Sequence, residues 1–211
     1  MDIKNLPKRI AVFPLSNAVF FPKTILPLNI FEERYIQLIS DCMKNKRLFG
    51  MVQSKKQGVQ TPEVYKVGCL GKIISFNETN DKRFIINLTG VIRFRIKEEL
   101  SNIKLYREFN VDYSDFEQDL KIIKKTHEYD RKKILKKINL FFKKKNYLVN
   151  LSELEKLKFD QLISTICMIT PLSVAEKQKL IETITLDEKI QILENIINFN
   201  LADNMQSKTI Q

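Results

Sequence analysis

The pattern of apolar and polar positions divides the chain near residue 116. Before that point apolar residues alternate with polar ones at the period of a half-buried strand. Ile92, Phe94 and Ile96 alternate with Arg93 and Arg95, and Phe109, Val111 and Tyr113 with Glu108, Asn110 and Asp112. Leu70–Phe76 and Phe84–Leu88 flank the polar stretch Asn77–Arg83, which predicts a hairpin. Asp81 is not followed by glycine, so a type I′ turn would be strained and a longer or rearranged turn is expected. All five glycines fall before residue 91, and five of the six prolines before residue 63. That punctuation suits a β-rich lobe with tight turns. One helix interrupts it: Asn29 and Glu32 have capping-box spacing, and Tyr35, Ile36, Ile39, Cys42 and Met43 follow at helical intervals. Leu48–Val52 predicts a strand.

After Phe116 the period becomes helical and glycine is absent. Leu120, Ile123, Ile134, Leu135, Ile138 and Phe142 trace one stripe, and Leu186, Ile190, Leu193 and Ile197 another. Ser152 with Glu155, Ser173 with Glu176 and Thr185 with Glu188 mark three helix starts. The expected fold class is α+β. A β-rich lobe with one inserted helix spans 1–116, a helical bundle spans 117–203, and 204–211 form a frayed tail.

Charge changes this picture at one place. The net charge of +11 comes from 36 basic and 25 acidic residues, and only eight of the basic residues are Arg. Residues 121–145 hold ten Lys and Arg131 against Glu128 and Asp130, so almost the whole excess is local. Lys132, Lys133, Lys136, Lys137, Lys143, Lys144 and Lys145, with Phe141, Phe142 and Tyr147 among them, are a candidate nucleic-acid face. The bland alternative is an amphipathic helix with a solvated side, in a chain rich in Lys, Ile and Asn throughout.

Catalytic and metal chemistry find little support. His127 is the only histidine, no P-loop or G-x-S-x-G motif occurs, and Glu32 and Glu33 point about 100° apart on a helix. No cofactor or metal is implied. Cys42, Cys69 and Cys167 are widely spaced among apolar neighbours and read as buried thiols in a reducing compartment. The longest uncharged run, Gln161–Ala175, is too short and too polar to span a bilayer. Ile10–Phe21 is interrupted by Pro14, Ser16 and Asn17, which argues against a signal peptide and for a cytoplasmic protein.

The second lead is the apolar, proline-punctuated N-terminal segment. Phe13-Pro14-Leu15, Phe20-Phe21-Pro22 and Leu26-Pro27-Leu28 place large side chains in stiff backbone, which can form a groove for extended polypeptide or plug the ends of a barrel. Phe20, Phe21, Leu26 and Leu28 are the candidate contacts, with Glu32 and Arg34 supporting them. Phe20 and Phe21 are consecutive. In extended backbone they face opposite ways, so one is expected in the core and the other under the helical lobe or at the surface.

These segments, taken in order, resemble the Lon protease N-terminal domain. The resemblance rests on Phe13-Pro14-Leu15, Phe21-Pro22, Leu26 to Glu32, Arg34-Tyr35, Phe49 to Val52, Val67 to Ile73 and Gly90 to Ile96. Glu176-Lys177-Gln178-Lys179-Leu180-Ile181-Glu182 is similar to a segment of short, stand-alone relatives. Glu33 and Lys23 depart from the family, which usually has proline and glycine there. The resemblance implies a PUA-like pseudo-barrel with a helical appendage. It also implies a non-catalytic, adaptor-like role in binding unfolded or extended polypeptide, in a form lacking the ATPase and protease modules. A protease or chaperone is the implied partner. A PUA-like RNA-binding module using the Lys-rich helix is the rival reading, and a small-molecule pocket between the lobes a third.

Overall fold

The computed structural model describes residues 2–55, 61–121 and 130–206, with side chains to residue 202. Strands β1 (Arg9–Leu15) and β2 (Ile25–Ile30) lead into helix α1 (Glu33–Met43), followed by β3 (Leu48–Ser54), β4 (Val64–Glu78), β5 (Phe84–Leu100) and β6 (Arg107–Asp112). The strand order is β2-β5-β4-β3-β1-β6, and β5 also pairs with β6. Pairing therefore runs in a circuit through β5, β4, β3, β1 and β6. Strand β2 hangs from the first half of β5, with Leu26 opposite Leu88 and Leu28 opposite Ile86. Among the described residues β5 is the only partner of β2, and Pro27, in mid-strand, carries no N–H.

The two apolar runs at Phe84–Leu88 and Ile92–Ile96 belong to one long strand, β5. Its hairpin with β4 closes through a loop in which Thr79 N–H donates to the Arg83 carbonyl and Lys82 takes a φ of 62°. Lys82 thus fills the left-handed position that a glycine would fill in a shorter turn. Asn29 is not a helix cap. It lies in β2, and α1 starts after Glu32, the N-cap, whose carbonyl accepts from Tyr35 and Ile36 N–H.

A short 3₁₀ helix, Ser114–Leu120, leads to the helical half. There α2 (Arg131–Lys144), α3 (Leu151–Lys156), α4 (Phe159–Ile169), α5 (Val174–Glu182) and α6 (Leu186–Gln206) pack on one another and on the sheet. The capping box of Ser173 and Glu176 forms in full, and Thr185 Oγ accepts the Glu188 N–H at the start of α6. Ser152 caps nothing: α3 starts after Asn150, and the Ser152 hydroxyl donates to the Asn150 side chain. Helix α6 continues to Gln206, past the expected start of a frayed tail; residues 207–211 lie outside the described residues. The readings of His127 and Ile123 also lie outside them. The three thiols are free and buried, and burial pushes the pKa of Cys42 and Cys167 up to about 12. No helix among the described residues is long and apolar enough to cross a membrane.

Candidate functional site

The segment between β1 and β2 decides which apolar side chains reach the surface. Asn17 and Lys23 both take a positive φ, 55° and 63°, so the chain reverses twice between Leu15 and Ile25. Its second reversal is seated on β5. Lys23 N–H donates to the Gly90 carbonyl (2.8 Å), Gly90 N–H to the Thr24 carbonyl (2.9 Å), and Thr24 Oγ to the Phe21 carbonyl (2.6 Å). This close approach requires glycine at position 90, because a Cβ there would lie 2.0 Å from the Phe21 carbonyl oxygen. Lys23 accepts the left-handed backbone, and its ammonium reaches Asp160 of α4 at 3.0 Å and the Lys121 carbonyl at 3.1 Å.

Held this way, Phe20 and Phe21 are both core residues, at 2% and 0% exposure. Of the two placements expected for the second ring, beneath the helical lobe or at the surface, the structure has the first, so neither phenylalanine is exposed to meet a polypeptide. The segment is not an extended strand on a one-sided wall but a reversed loop sandwiched between sheet and helices. Phe20 is enclosed with Met51, Val67 and Ile181, and the ammonium of Lys189 on α6 lies 4.7 Å from the Phe21 ring centre. Leu26 and Leu28 are half-buried on β2.

The open apolar surface lies at the opposite end of β2. A groove of about 960 Å³ runs between the end of β1, the β2–α1 junction and the loop before β6. Phe13, Leu15, Leu28, Phe31, Tyr35 and Leu105 supply its apolar lining. Phe31 is 63% exposed and Leu105 55%. The wall beneath them is stiff. The Tyr35 ring stacks on Phe13 with centres 3.9 Å apart and planes 24° from parallel, and the Arg34 guanidinium covers Tyr35 at 4.6 Å. Arg34 is in turn held by Glu32, with nitrogen–oxygen distances of 2.9 and 2.7 Å. Burial raises the Tyr35 pKa. Leu105 is anchored to α1: its N–H donates to the Gln37 side chain (2.8 Å), and the neighbouring Tyr106 hydroxyl donates to Asp41 (2.9 Å). Glu32 and Arg34 thus brace the groove through each other and Tyr35. Phe31 and Leu105 are the exposed groove residues that sequence reasoning missed. Phe31 falls out of phase with Leu26, Leu28 and Ile30, which is a local signal for the first. Leu105 has no local signal.

The lysines of α2 are divided. Lys137 pairs with Glu194 at 2.9 Å, and Lys144 donates to the Asn200 and Leu201 carbonyls at 2.7 Å, so both fasten α2 to α6. Lys132, Lys133, Lys136, Lys143 and Lys145 are exposed. Ile134, Leu135, Ile138, Phe141 and Phe142 are all buried, as an amphipathic helix requires, so of the three aromatics among the lysines only Tyr147, 53% exposed, offers a stacking surface.

A second cluster links the two halves. Arg93 is 1% exposed although its strand alternates as if it faced water. Its outward face is covered by the 3₁₀ helix and by the α5–α6 turn. Its guanidinium donates to both oxygens of Asp119 (2.9 and 2.8 Å) and to the carbonyls of Ile181, Thr183 and Ile184. All five donors are used. Among the described residues no three His, Cys, Asp or Glu side chains gather as a metal site.

A six-stranded mixed sheet with one helix carried between β1 and β3, helices packed against it, and an apolar groove beside that helix define an α+β domain with an open cleft. Residues 9–198 match the family model of the ATP-dependent protease La (LON) substrate-binding domain, and the chain belongs to that family. It is 26% identical to the Lon protease of Syntrophus aciditrophicus over 94% of this chain and 26% of that protein. It is also 26% identical to Lon protease 2 of Myxococcus xanthus over 45% of this chain and 12% of that protein. The chain thus spans about a quarter or less of these relatives. Among solved structures, a Lon N-terminal domain protein from Xanthomonas campestris superposes with a TM-score of 0.63 at 19% identity, covering 89% of this chain and 97% of that one. The N-terminal domain of Mycobacterium avium complex Lon superposes with a TM-score of 0.61 at 14% identity, covering 93% of this chain and all of that one. These likenesses show a shared fold.

Proposed function

We propose that the chain is a non-catalytic, adaptor-like domain that takes an extended, apolar stretch of unfolded polypeptide into the groove beside α1. It acts in the cytoplasm, on a PUA-like pseudo-barrel carrying a helical bundle, and passes its client to a protease or chaperone. The groove carries the reading: a cleft of about 960 Å³ with a mostly apolar lining, open to solvent, on a wall that is already rigid. Membership of a substrate-binding family supports it. Phe31 and Leu105 take the apolar side chains of the client, and Leu28 and Leu15 floor the groove. Leu26 lies on the same strand, outside the groove lining.

The test is the affinity for a reduced, carboxymethylated globular protein, measured by fluorescence anisotropy. Phe31→Ser combined with Leu105→Ser should weaken binding at least about tenfold, each tenfold loss being about 1.4 kcal/mol. The thermal midpoint should stay unchanged, because both side chains are exposed. Unaltered affinity in this variant overturns the reading.

A further inference from the structure

We propose that the cavity between β5, α4 and the start of α6 is a binding site for a small carboxylate, with the Lys189 ammonium as its cationic head. The cavity holds about 100 Å³ and is lined by Pro22, Lys23, Asp119, Asp160, Ser164 and Lys189, among others. That is room for about three waters at ~30 Å³ each, or one acetate-sized group.

The charges in the cavity do not cancel. Arg93 and Asp119 neutralise each other through their paired hydrogen bonds, and Lys23 and Asp160 do the same at 3.0 Å. Lys189 is left over. It is only 6% exposed, and among the described residues no hydrogen bond or ion pair reaches its Nζ, which lies 4.7 Å from the centre of the Phe21 ring. The ammonium is reached only from this cavity, and with so little compensation in so buried a side chain it is costly unless something in the cavity meets it. The groups around it do not remove the excess. Arg93 opposes its charge, Asp119 favours it but is already paired with Arg93, and Cys69 and Cys167 are thiols whose pKa values are raised by burial. Lys189 also lies in the first turn of α6, where the helix dipole adds positive potential. The site is thus short of one negative charge, which selects a monoanion over a phosphate dianion. The Ser164 hydroxyl, on the α4 wall, offers a further donor. The carboxylate can come from a free small acid or from the chain end of a bound polypeptide.

The experiment uses the full chain. The pKa of Lys189 is read from its side-chain NMR signal, and thermal stability is titrated with sodium acetate against sodium chloride at equal ionic strength. Short peptides with free or amidated C-termini form the second arm. Acetate should raise the Lys189 pKa and give a saturable rise in thermal midpoint that chloride does not give. That rise should vanish in Lys189→Met and survive in Lys136→Ala. A response to the free-ended peptide but not to acetate or the amidated peptide assigns the site to a chain end and also supports the proposal. A Lys189 pKa unmoved by both carboxylate probes, acetate and the free-ended peptide, overturns it, as does an acetate effect that chloride matches or Lys189→Met retains.

Discussion

Gly90 and Phe21 touch backbone to backbone, and this contact fixes the course of the whole N-terminal segment. The Gly90 N–H and carbonyl hold Thr24 and Lys23 respectively, and no side chain fits between the strand and the Phe21 carbonyl. The contact locks two phenylalanines under the helices and turns β2 toward the groove.

Gly90→Ala should therefore destabilise the fold by about 3 kcal/mol, at the upper end of overpacking costs, because the obstacle is backbone and cannot swing aside. Urea denaturation would measure it. A loss under about 0.5 kcal/mol would mean that the segment can lift from β5 freely.

Phe20→Ala and Phe21→Ala should each cost ~3–5 kcal/mol, since each leaves a cavity in a dry core. Neither should weaken polypeptide binding at a temperature where the variant remains folded. Weaker binding by one variant alone, with the fold intact by circular dichroism, would return that residue to the candidate contacts.

Asp119→Asn should cost about 3–5 kcal/mol by leaving the buried guanidinium without its counter-charge. Arg93→Lys should be nearly as harmful, because an ammonium cannot serve Asp119 and three carbonyls together. Removing both charges in Arg93→Met with Asp119→Leu should recover part of the loss. Thermal unfolding of the three variants forms the comparison.

Lys189 gives a pH signature. Burial, and secondarily Arg93, lowers its pKa from 10.5 to about 8. Between those values the unfolded chain binds the extra proton, so stability should rise from about pH 8 toward 10.5. Below pH 8 the penalty for burying the charge is fully present. Lys189→Met should be more stable than wild type at pH 7, with the difference shrinking as pH rises to 10. Urea midpoints at pH 7, 9 and 10 would check this in carboxylate-free buffer.

Periodicity and capping chemistry made much of the fold legible. Ser173 with Glu176, and the stripe of Ile190, Leu193 and Ile197, are local signals that the tertiary structure only confirms. Arg93 shows where local reading fails. Alternation with Ile92 and Phe94 places it on the other face of the strand, but it cannot say that helices from ninety residues later cover that face. The choice between a covered and an exposed phenylalanine at 20–21 was unreadable for the same reason, since burial there is set by a glycine far along the chain. Lys189 was readable in principle: it falls three residues after Leu186 and four before Leu193, on the apolar stripe of α6. A lysine at such a position is either snorkelling or enclosed, and only the packing of α4 and the Phe21 ring decides for enclosure.

Strand β2 has a consequence for life at high concentration. The circuit of pairing consumes the edges of the other strands and leaves β2 with β5 as its sole partner among the described residues. A neighbouring molecule laying its own strand there would find Pro27 offering no donor in the middle of the row. Fibril growth by edge-to-edge stacking is thereby starved of a template, and the domain can keep a large apolar groove open to solvent without its sheet recruiting further copies of itself.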